Sequence, residues 1–378
     1  MSQPSSHIEQ AGESDRAAWD AYVRKHADGS LFHLFGWADV MRGAYGHTAY
    51  YLMLRAGSPP RAAAAAGSEQ RVLGVLPVVH LRHAIFGNGL VSLPFLDGGG
   101  ILAEGREAEE SLLAEVIRLG ERVGARYIEL RQERALESCK STSPHGLARP
   151  LSPLPLQVVT RSHKVRMLLR LPASAETLLK SFKSKLRSQI NRPLKEGFTS
   201  RVGGLELLKD FYEVFLVNMR DLGSPVHSVK LMRHSLIAFA EHARIVVVYR
   251  STEPVAGALV IGFGNVLRNL WASSLRKYAS LGPNMLLYLR MLEYACDRGY
   301  QVFDFGRSSP GEGTYRFKEQ WGAVPEPLYW HYLSLDGRVP GPEDAGKAKF
   351  ETATRCWRRL PLIVTRIIGP SIRKHISL

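Results

Sequence analysis

The chain is organised around one stretch, Tyr300–Trp321, which reads YQVFDFGRSSPGEGTYRFKEQW. The β-branched and aromatic residues at 302, 303 and 305 predict a strand that ends at Gly306. The Ser, Pro and Gly residues that follow predict a turn, after which aromatic residues gather around Lys318. An acid, an arginine, a glycine-rich turn and a lysine in quick succession are typical of a functional site. The alternative is a buried strand that leaves the core through an ordinary loop, and composition alone favours neither.

Length and charge limit the classes of protein that fit. The 378 residues predict two domains, and the 45% hydrophobic content is ordinary for a globular protein. The 50 basic and 35 acidic residues leave a net charge of +15. This excess favours an anionic partner such as nucleic acid, a phosphorylated substrate or a membrane surface, although a basic surface can also serve solubility alone.

The spacing of cysteine and histidine argues against metal and disulfide chemistry. Cys139, Cys296 and Cys356 are scattered without a C-x-x-C pair, and His80 and His83 are not spaced as metal ligands. We therefore expect no metal site and a reducing compartment, that is, the cytoplasm. The polar first residues do not read as a signal peptide, and no apolar run reaches the length of a membrane span.

The order of predicted elements divides the chain into four regions. We expect a disordered tail over residues 1–14, a first domain with its linker over 15–156, a second domain over 157–338 and a basic amphipathic segment over 339–378. In this interpretation the predicted strand at 328–335 closes the second domain. Meanders followed by a helix and a further strand predict the α+β class, with mixed sheets flanked by helices.

The two domains repeat one plan. Val72–Leu76 resembles Val255–Leu259, and each is followed by another strand, a loop and an amphipathic helix that ends at a glycine. The strand after each helix carries an acid at a matching position, Glu129 in the first copy and Asp304 in the second. Duplication of one mixed unit explains this match, and we expect a cleft where the two units meet.

The motif that closes the second unit resembles a known family. The run Phe303–Ser308, followed by Gly313, Tyr315 and the pair Phe317–Lys318, is similar to the closing motif of FemAB-like proteins. The subgroup it matches is associated with exosortase and PEP-CTERM exopolysaccharide loci. The resemblance implies two tandem acetyltransferase-like (GNAT) domains. It also implies transfer of an acyl or aminoacyl group to an amine on a cell-envelope precursor.

The resemblance implies roles for two adjacent residues. It places Phe317 and Lys318 at the reaction centre, where the lysine stabilises the oxyanion that forms when the amine attacks the acyl carbonyl. The chemistry agrees, because a fixed cation at that oxygen favours the transition state. The alternative for Lys318 is a lysine whose stem packs on Trp321.

Further candidates surround this pair. Arg307 is a candidate phosphate or carboxylate ligand, because a guanidinium binds such groups in a bidentate manner. Asp304 either receives the proton of the amine or, as its match to Glu129 suggests, anchors a neighbouring loop by hydrogen bonding. Tyr315 either shapes the acyl channel or packs in the core, and Gly313 is grouped with the substrate-binding residues.

The acyl donor is expected to be an activated ester or thioester that acts as co-substrate, without a tightly bound cofactor. Residues 307–313 superficially resemble the pyrophosphate loop of acetyltransferases, but they follow the wrong strand and are predicted to lead to no helix. The usual place for that loop, Ser280–Asn284, lacks the motif, so coenzyme A bound in the usual manner is not expected. Aminoacyl-tRNA and acyl thioesters stay open, and the lack of a sustained heptad run disfavours tRNA.

Two basic segments point to anionic partners. Lys180–Lys195 contains Lys185 and Arg187, and it is either an anion-binding rim for a diphosphate-linked or tRNA-linked substrate or a solvated helix face. Residues 347–378 place isoleucines among arginines. This pattern is typical of a helix lying on an anionic membrane and equally of one docked on its own protein.

These features predict a cytoplasmic acyl- or aminoacyltransferase that acts on a lipid- or nucleotide-linked glycan precursor. It would lie at the inner face of the membrane if residues 347–378 bind lipid. The alternative is a non-catalytic FemAB-like module that binds a polysaccharide precursor or its assembly machinery. The presence of Phe317 and Lys318 together with Arg307 and Asp304 favours the enzyme. Binding to nucleic acid rests on charge alone.

Overall fold

The computed structural model describes residues 6–57, 70–83, 87–139, 157–337 and 347–377, without the side chains of 347–350. The helices described are α1 (Arg16–Lys25), α2 (Gly36–Tyr45), α3 (Arg106–Arg122), α4 (Ala175–Ser181), α5 (Ser184–Lys195), α6 (Leu208–Leu222), α7 (Val229–Ala238), α8 (Pro283–Asp297), α9 (Gly313–Glu319), α10 (Lys347–Arg358) and α11 (Leu362–Arg373). The strands are β1 (Ser6–Gln10), β2 (Thr48–Ala56), β3 (Val72–His83), β4 (Gly87–Val91), β5 (Leu102–Ala103), β6 (Tyr127–Gln132), β7 (Gln157–Arg161), β8 (Val165–Arg170), β9 (Phe198–Gly203), β10 (Ala243–Arg250), β11 (Glu253–Phe263), β12 (Val266–Ser274), β13 (Val302–Ser308), β14 (Val324–Pro327) and β15 (Tyr329–Ser334). The predicted α+β class is confirmed.

The first sheet has the strand order β1-β2-β3-β4-β6-β15-β7, and the short β5 pairs with β3. Helix α3 packs on one face of this sheet, where Leu112, Leu113 and Val116 are fully buried at helical spacing. Helices α1 and α2 contact the same sheet through β3 and β2 and belong to a separate apolar cluster. The sheet is therefore covered by helices on both faces.

The second sheet has the order β14-β8-β13-β12-β11-β10-β9. Helix α6 packs on one face against β10, β11 and β12, whereas α8 packs with α4 and α5 on the other. The predicted meander at β10, β11 and β12 is confirmed as two antiparallel pairs. Each sheet also has a matching parallel pair, β4 with β6 in the first and β12 with β13 in the second, as the predicted duplication requires.

One apolar core joins the two domains. Helices α1 and α2 of the first domain and α6 and α7 of the second contribute to a single buried cluster. Trp37 on α2, for example, is fully buried and its ring centroid lies 4.9 Å from that of Phe239. Because burial of aromatic surface is a large apolar contribution to stability, this shared core holds the domains together.

Strands β12 and β13 separate part-way along their length. Their parallel pairing covers Val266–Arg268 and Val302–Asp304 and then stops. Gly306 follows at a φ of +77°, a conformation that glycine adopts without a steric penalty, and the register with β8 shifts between Asp304 and Arg307. Beyond Asp304 the strand no longer pairs with β12, and the carbonyl oxygens of Gly306 and Arg307 accept hydrogen bonds from a side chain.

The expected tail over residues 1–14 is wrong for the part that the structure describes. Residues 6–10 form β1, which pairs antiparallel with β2 at the edge of the first sheet, and residues 1–5 lie outside the described residues. An ion pair between Glu9 and Arg55 links the two strands. The polar composition concealed this strand because an edge strand needs few apolar side chains.

The expected boundary of the second domain also needs correction. Strands β7 and β15 fall within residues 157–338, yet both belong to the first sheet, where β15 pairs with β6 and β7. The strand at 328–335 therefore completes the first domain and does not close the second. Pairing between strands so distant in sequence is decided by packing, which a reading along the chain does not reveal.

The final helices pack on the protein. Both α10 and α11 contact α6, and Thr365 on α11 is 1% exposed. The backbone carbonyl of Ser377 accepts hydrogen bonds from the backbone of Phe95 and from the guanidinium of Arg131, both in the first domain. Within the described residues, no helix combines the length and the apolar character needed to cross a membrane.

Candidate active site

A cavity of about 350 Å³ lies between the two domains, where β12 and β13 separate. The second domain lines it with 269–272 on β12, 305–307 on β13 and Tyr288 on α8. The first domain contributes 95–97, and α11 contributes Arg373. The cavity lies at the expected cleft between the units, and it also includes a residue of the C-terminal segment.

Lys318 lines this cavity from α9. The side chain is almost wholly buried, at 7% exposure, and its ammonium donates to the carbonyl oxygens of Gly306 at 2.9 Å and Arg307 at 2.8 Å. An ammonium has three N–H donors, so one is left for a group in the cavity. Burial lowers the pKa of Lys318 to about 8, and the amine is therefore mostly charged at neutral pH.

The helix that carries Lys318 corrects one expectation. The glycine-rich run was predicted to lead to no helix, but α9 forms directly after it, at Gly313–Glu319. Gly311, at a φ of +81°, and Glu312, in an extended conformation, turn the chain before the helix begins. The helix is short, and its Lys318 is anchored to the bulged end of β13 rather than projecting into solvent.

Asp304 is buried and makes hydrogen bonds within the protein. Its carboxylate is 2% exposed and accepts hydrogen bonds from the backbone N–H of Gly306 at 2.8 Å and from Arg268 at 3.0 Å. Burial raises the pKa of this carboxyl group. Asp304 does not line the 350 Å³ cavity, and its hydrogen bonds hold the turn whose carbonyls bind Lys318.

A network of ion pairs connects this turn to the first domain. Glu133, which follows β6, accepts from Arg268 and from Arg166, each at 2.6 Å. Burial opposes ionisation of Glu133, yet the two guanidinium groups lower its pKa to about 2. Arg268 also contacts Asp304, so a chain of charges runs from the first domain to the turn of the second.

Arg307 bridges the domains at the rim of the cavity. Its guanidinium lies 3.2 Å from the carboxylate of Asp97 and 5.0 Å from the ring centroid of Trp330, both in the first sheet or its loops. Asp97 lines the same cavity. A guanidinium held by a carboxylate and an aromatic face is fixed in position, which suits a ligand for phosphate or carboxylate.

The remaining residues of the motif lie outside the cavity lining. Phe317 packs against Tyr288, with ring centroids 5.0 Å apart, and Tyr315 packs against the same apolar cluster. Gly313 is exposed at the first turn of α9. Phe317 therefore supports Tyr288, which does line the cavity, and the geometry gives Tyr315 a place beside the core.

Lys185 and Arg187 lie apart from Lys318. Lys185 lines a second cavity of about 720 Å³, which α4 and α5 form with Trp321 on its wall. Arg187 is exposed and lines neither of these two cavities. The basic helix face and the Lys318 cavity are thus separate surfaces of the second domain.

Several cavity residues were missed in the sequence. Arg373 donates through Nε to Nε2 of His227 at 3.2 Å, and burial lowers the pKa of Arg373 to about 10. Since Nε2 of His227 accepts, its Nδ1 carries the proton and donates to the hydroxyl of Tyr45, 3.3 Å away. Asn269 donates to Tyr288 at 3.3 Å. The sequence did not indicate a role for Arg373, because this residue belongs to the segment interpreted as a basic amphipathic surface.

The arrangement favours binding of an anion or of a polarised carbonyl. Lys318, Arg307 and Arg373 line the cavity, whereas Asp97 is the acid in its lining. Within the described ranges, no group of three or more His, Cys, Asp or Glu side chains is placed to hold a metal ion. The chemistry supplied by these residues is that of fixed hydrogen-bond donors and positive charge.

Comparison with known families agrees with this fold. Residues 180–319, which contain the strand, the turn and the lysine described above, match the model of the acetyltransferase (GNAT) domain. The second domain is a GNAT domain. The chain is accordingly an acyltransferase, and the predicted tandem arrangement of two such domains is confirmed.

Solved structures share the fold of this chain. The chain is 17% identical to FemX, with 86% of this chain and 96% of that chain covered and a TM-score of 0.61. It is 12% identical to a tandem GNAT protein from the clavulanic acid biosynthesis pathway, with 90% of this chain and 99% of that chain covered and a TM-score of 0.50. It is 10% identical to a conserved protein of unknown function from Bacteroides thetaiotaomicron, with 86% of this chain and 99% of that chain covered and a TM-score of 0.51. At these identities the likeness concerns the fold alone. A search of curated proteins finds no match to this sequence.

Proposed function

We propose that this acyltransferase moves an acyl or aminoacyl group from an activated ester or thioester to an amine on a cell-envelope or exopolysaccharide precursor. The observation that carries the proposal is the buried ammonium of Lys318, held by two carbonyls on the wall of a cavity between the domains. The proposed acceptor is a lipid- or nucleotide-linked glycan precursor in the cytoplasm, as the motif's likeness to the exopolysaccharide-associated FemAB-like subgroup suggests.

The proposed reaction is aminolysis. The acceptor amine attacks the acyl carbonyl carbon, and the carbonyl oxygen gains the negative charge that the third N–H of Lys318 stabilises. Collapse of the tetrahedral intermediate re-forms the carbonyl and breaks the bond from the acyl carbon to the oxygen or sulfur of the donor. The donor's alcohol or thiol leaves with the proton that the amine has lost. Asp97 lines the cavity and Asp304 does not, so we assign Asp97, rather than Asp304, to receive the proton of the amine.

The proposed donor is an acyl thioester or an aminoacyl-tRNA, with tRNA the less favoured of the two. Helix α8 begins with Gly282 as its N-cap and Pro283 at its first position, and a proline has no N–H to offer a pyrophosphate. This start supports a donor that is held by side chains around the cavity rather than by a conventional coenzyme A loop.

The test is complementation of a strain that lacks the protein. Mass spectrometry of the envelope glycan should show loss of an acyl or aminoacyl group, restored by the wild-type gene and not by Lys318→Ala. Equal restoration by the variant would favour the alternative, a non-catalytic module that binds the precursor or its assembly machinery. Lys209→Ala, exposed on α6 and outside both cavities, is a control for the effect of removing a positive charge in the same domain.

A further inference from the structure

Three isoleucines of α11 point away from the protein. Ile363 and Ile367 are 62% and 66% exposed, and Ile368 beside them is 38% exposed. On the opposite side, Thr365 and Gly369 are buried. A helix that served only to dock on its own protein would turn its isoleucines inward, because burial of apolar surface drives such packing.

The inward side of α11 is fixed by close approach and polar anchors. A Cβ at Gly369 would lie 2.9 Å from Cγ1 of Val226, so the helix backbone packs directly on that residue. At its C-terminal end Arg373 donates to His227, and His47 donates to the carbonyl oxygen of Lys374 at 2.9 Å. These contacts set the rotation of the helix, and the isoleucines are therefore held on the outside.

Positive charge accompanies the exposed isoleucines. Residues 352–378 contain no Asp or Glu, and their basic residues are Arg355, Arg358, Arg359, Arg366, Arg373 and Lys374. Arg366 is exposed on α11, three residues from Ile363, and Arg359 is exposed in the turn that precedes this helix. This pattern matches the surface of an anionic membrane. The isoleucines would enter the boundary between lipid headgroups and acyl chains, and the guanidinium groups would lie at the level of the phosphates.

We propose that the α11 face, formed by Ile363, Arg366, Ile367 and Ile368 together with Arg359 in the turn before the helix, docks the protein on an anionic phospholipid membrane. The all-basic charge favours lipid over a second copy of the chain, which would present like charges to each other. Arg373 is on the same helix, about 9 Å along its axis from Ile367. Docking therefore brings the cavity close to the membrane, and if the proposed function holds, to a lipid-linked acceptor.

The experiment measures sedimentation of the full-length protein with phosphatidylcholine vesicles, with and without phosphatidylglycerol. We expect binding only when phosphatidylglycerol is present, and weaker binding as the salt concentration rises. Ile363→Ser/Ile367→Ser should lower the partition coefficient by roughly tenfold or more. Arg359→Glu/Arg366→Glu should do the same. Substitution is preferable to truncation, because removal of α11 would take Arg373 out of the cavity.

Matched controls change exposed residues on other surfaces. Val324→Ser removes an apolar side chain that is 64% exposed on β14, and Arg24→Glu/Lys25→Glu reverses two exposed charges on α1. Both controls should bind like the wild type, and all variants should keep the wild-type melting temperature.

Several results would overturn the docking proposal. They are failure of the wild type to bind vesicles that contain phosphatidylglycerol, unchanged binding by both α11 variants, and a wild-type dimer that these variants convert to monomer in light scattering. Because the vesicles carry no substrate, the outcome is independent of whether the proposed transfer reaction is correct.

Discussion

The proposed role of Lys318 predicts how the transfer rate changes with pH. Only the charged ammonium stabilises the oxyanion, and burial lowers the pKa of this group from the ordinary 10.5 to about 8. The charged fraction consequently falls from about 0.9 at pH 7 to about 0.1 at pH 9. The part of the rate that depends on Lys318 should fall about tenfold over this interval.

The acceptor amine acts in the opposite direction, because it must lose a proton before it attacks. The full profile is therefore bell-shaped, and the falling limb is the part assigned to Lys318. Lys318→Arg isolates that limb, since a guanidinium stays charged over the whole range. We expect Lys318→Arg to be slower than the wild type at pH 7 but to lack the decline near pH 8. Lys318→Ala should lose on the order of 10²-fold in rate at pH 7, and its gap to the wild type should narrow to roughly tenfold at pH 9.

The assay is kcat at saturating donor and acceptor, followed by mass spectrometry of the amide product across the pH range. The reasoning is refuted if the wild type and Lys318→Arg decline alike at high pH, because the limb then belongs to another group. Stability supplies an independent check. The folded pKa lies below the unfolded one, so the folded state binds fewer protons between about pH 8 and 10.5 and gains stability as pH rises through that window. Lys318→Met should abolish this gain.

The other predictions concern the carboxylates around the cavity. Glu133→Gln leaves Arg268 with a weakened partner and should lower the free energy of unfolding by about 3 kcal/mol in urea titrations, whereas Glu326→Gln, at a half-exposed pair, should cost less than about 1 kcal/mol. Because the pKa of Glu133 is about 2, its contribution to the free energy of unfolding is complete above about pH 4.5 and is lost as pH falls toward 2. This would be contradicted if Glu133→Gln were still less stable than the wild type by the same amount at pH 2. Asp304→Asn should lower the melting temperature, and Asp97→Asn should lower kcat with little change in melting; the reverse pattern would exchange the two roles.

Local pattern predicted much of the second domain. The alternation before Gly306, the glycine-rich turn and the meander at β10, β11 and β12 are encoded by neighbouring residues, and the structure has all of them. The duplication was visible because Glu129 and Asp304 stand at matching strand positions, and each adjoins the parallel pair of its sheet. The position of Lys318 near a cleft followed from the resemblance of its motif.

Other features depend on contacts between distant residues, which a linear reading does not supply. The edge strand β1 is polar, and β7 and β15 join the first sheet through partners far away in sequence. Arg373 reaches the cavity because α11 packs on α6, and its own sequence context resembles an ordinary basic surface helix. Lys185 and Lys318 line different cavities. The sequence does not show this separation, because both residues belong to the same basic domain.

The first domain helps to position the ammonium of Lys318, although none of its own side chains is proposed to donate a hydrogen bond to the acyl group. Glu133 holds Arg268 at 2.6 Å, Arg268 holds Asp304 at 3.0 Å, and Asp304 holds the backbone N–H of Gly306 at 2.8 Å. The carbonyl oxygen of the same glycine accepts from Lys318 at 2.9 Å. Each link fixes the next, and the series begins at the end of β6 in the first sheet. The hydrogen bonds that hold this turn thus start in the first domain, which makes the domain junction part of the site. Because the network is buried and charged, it also has few alternative arrangements that leave every charge paired.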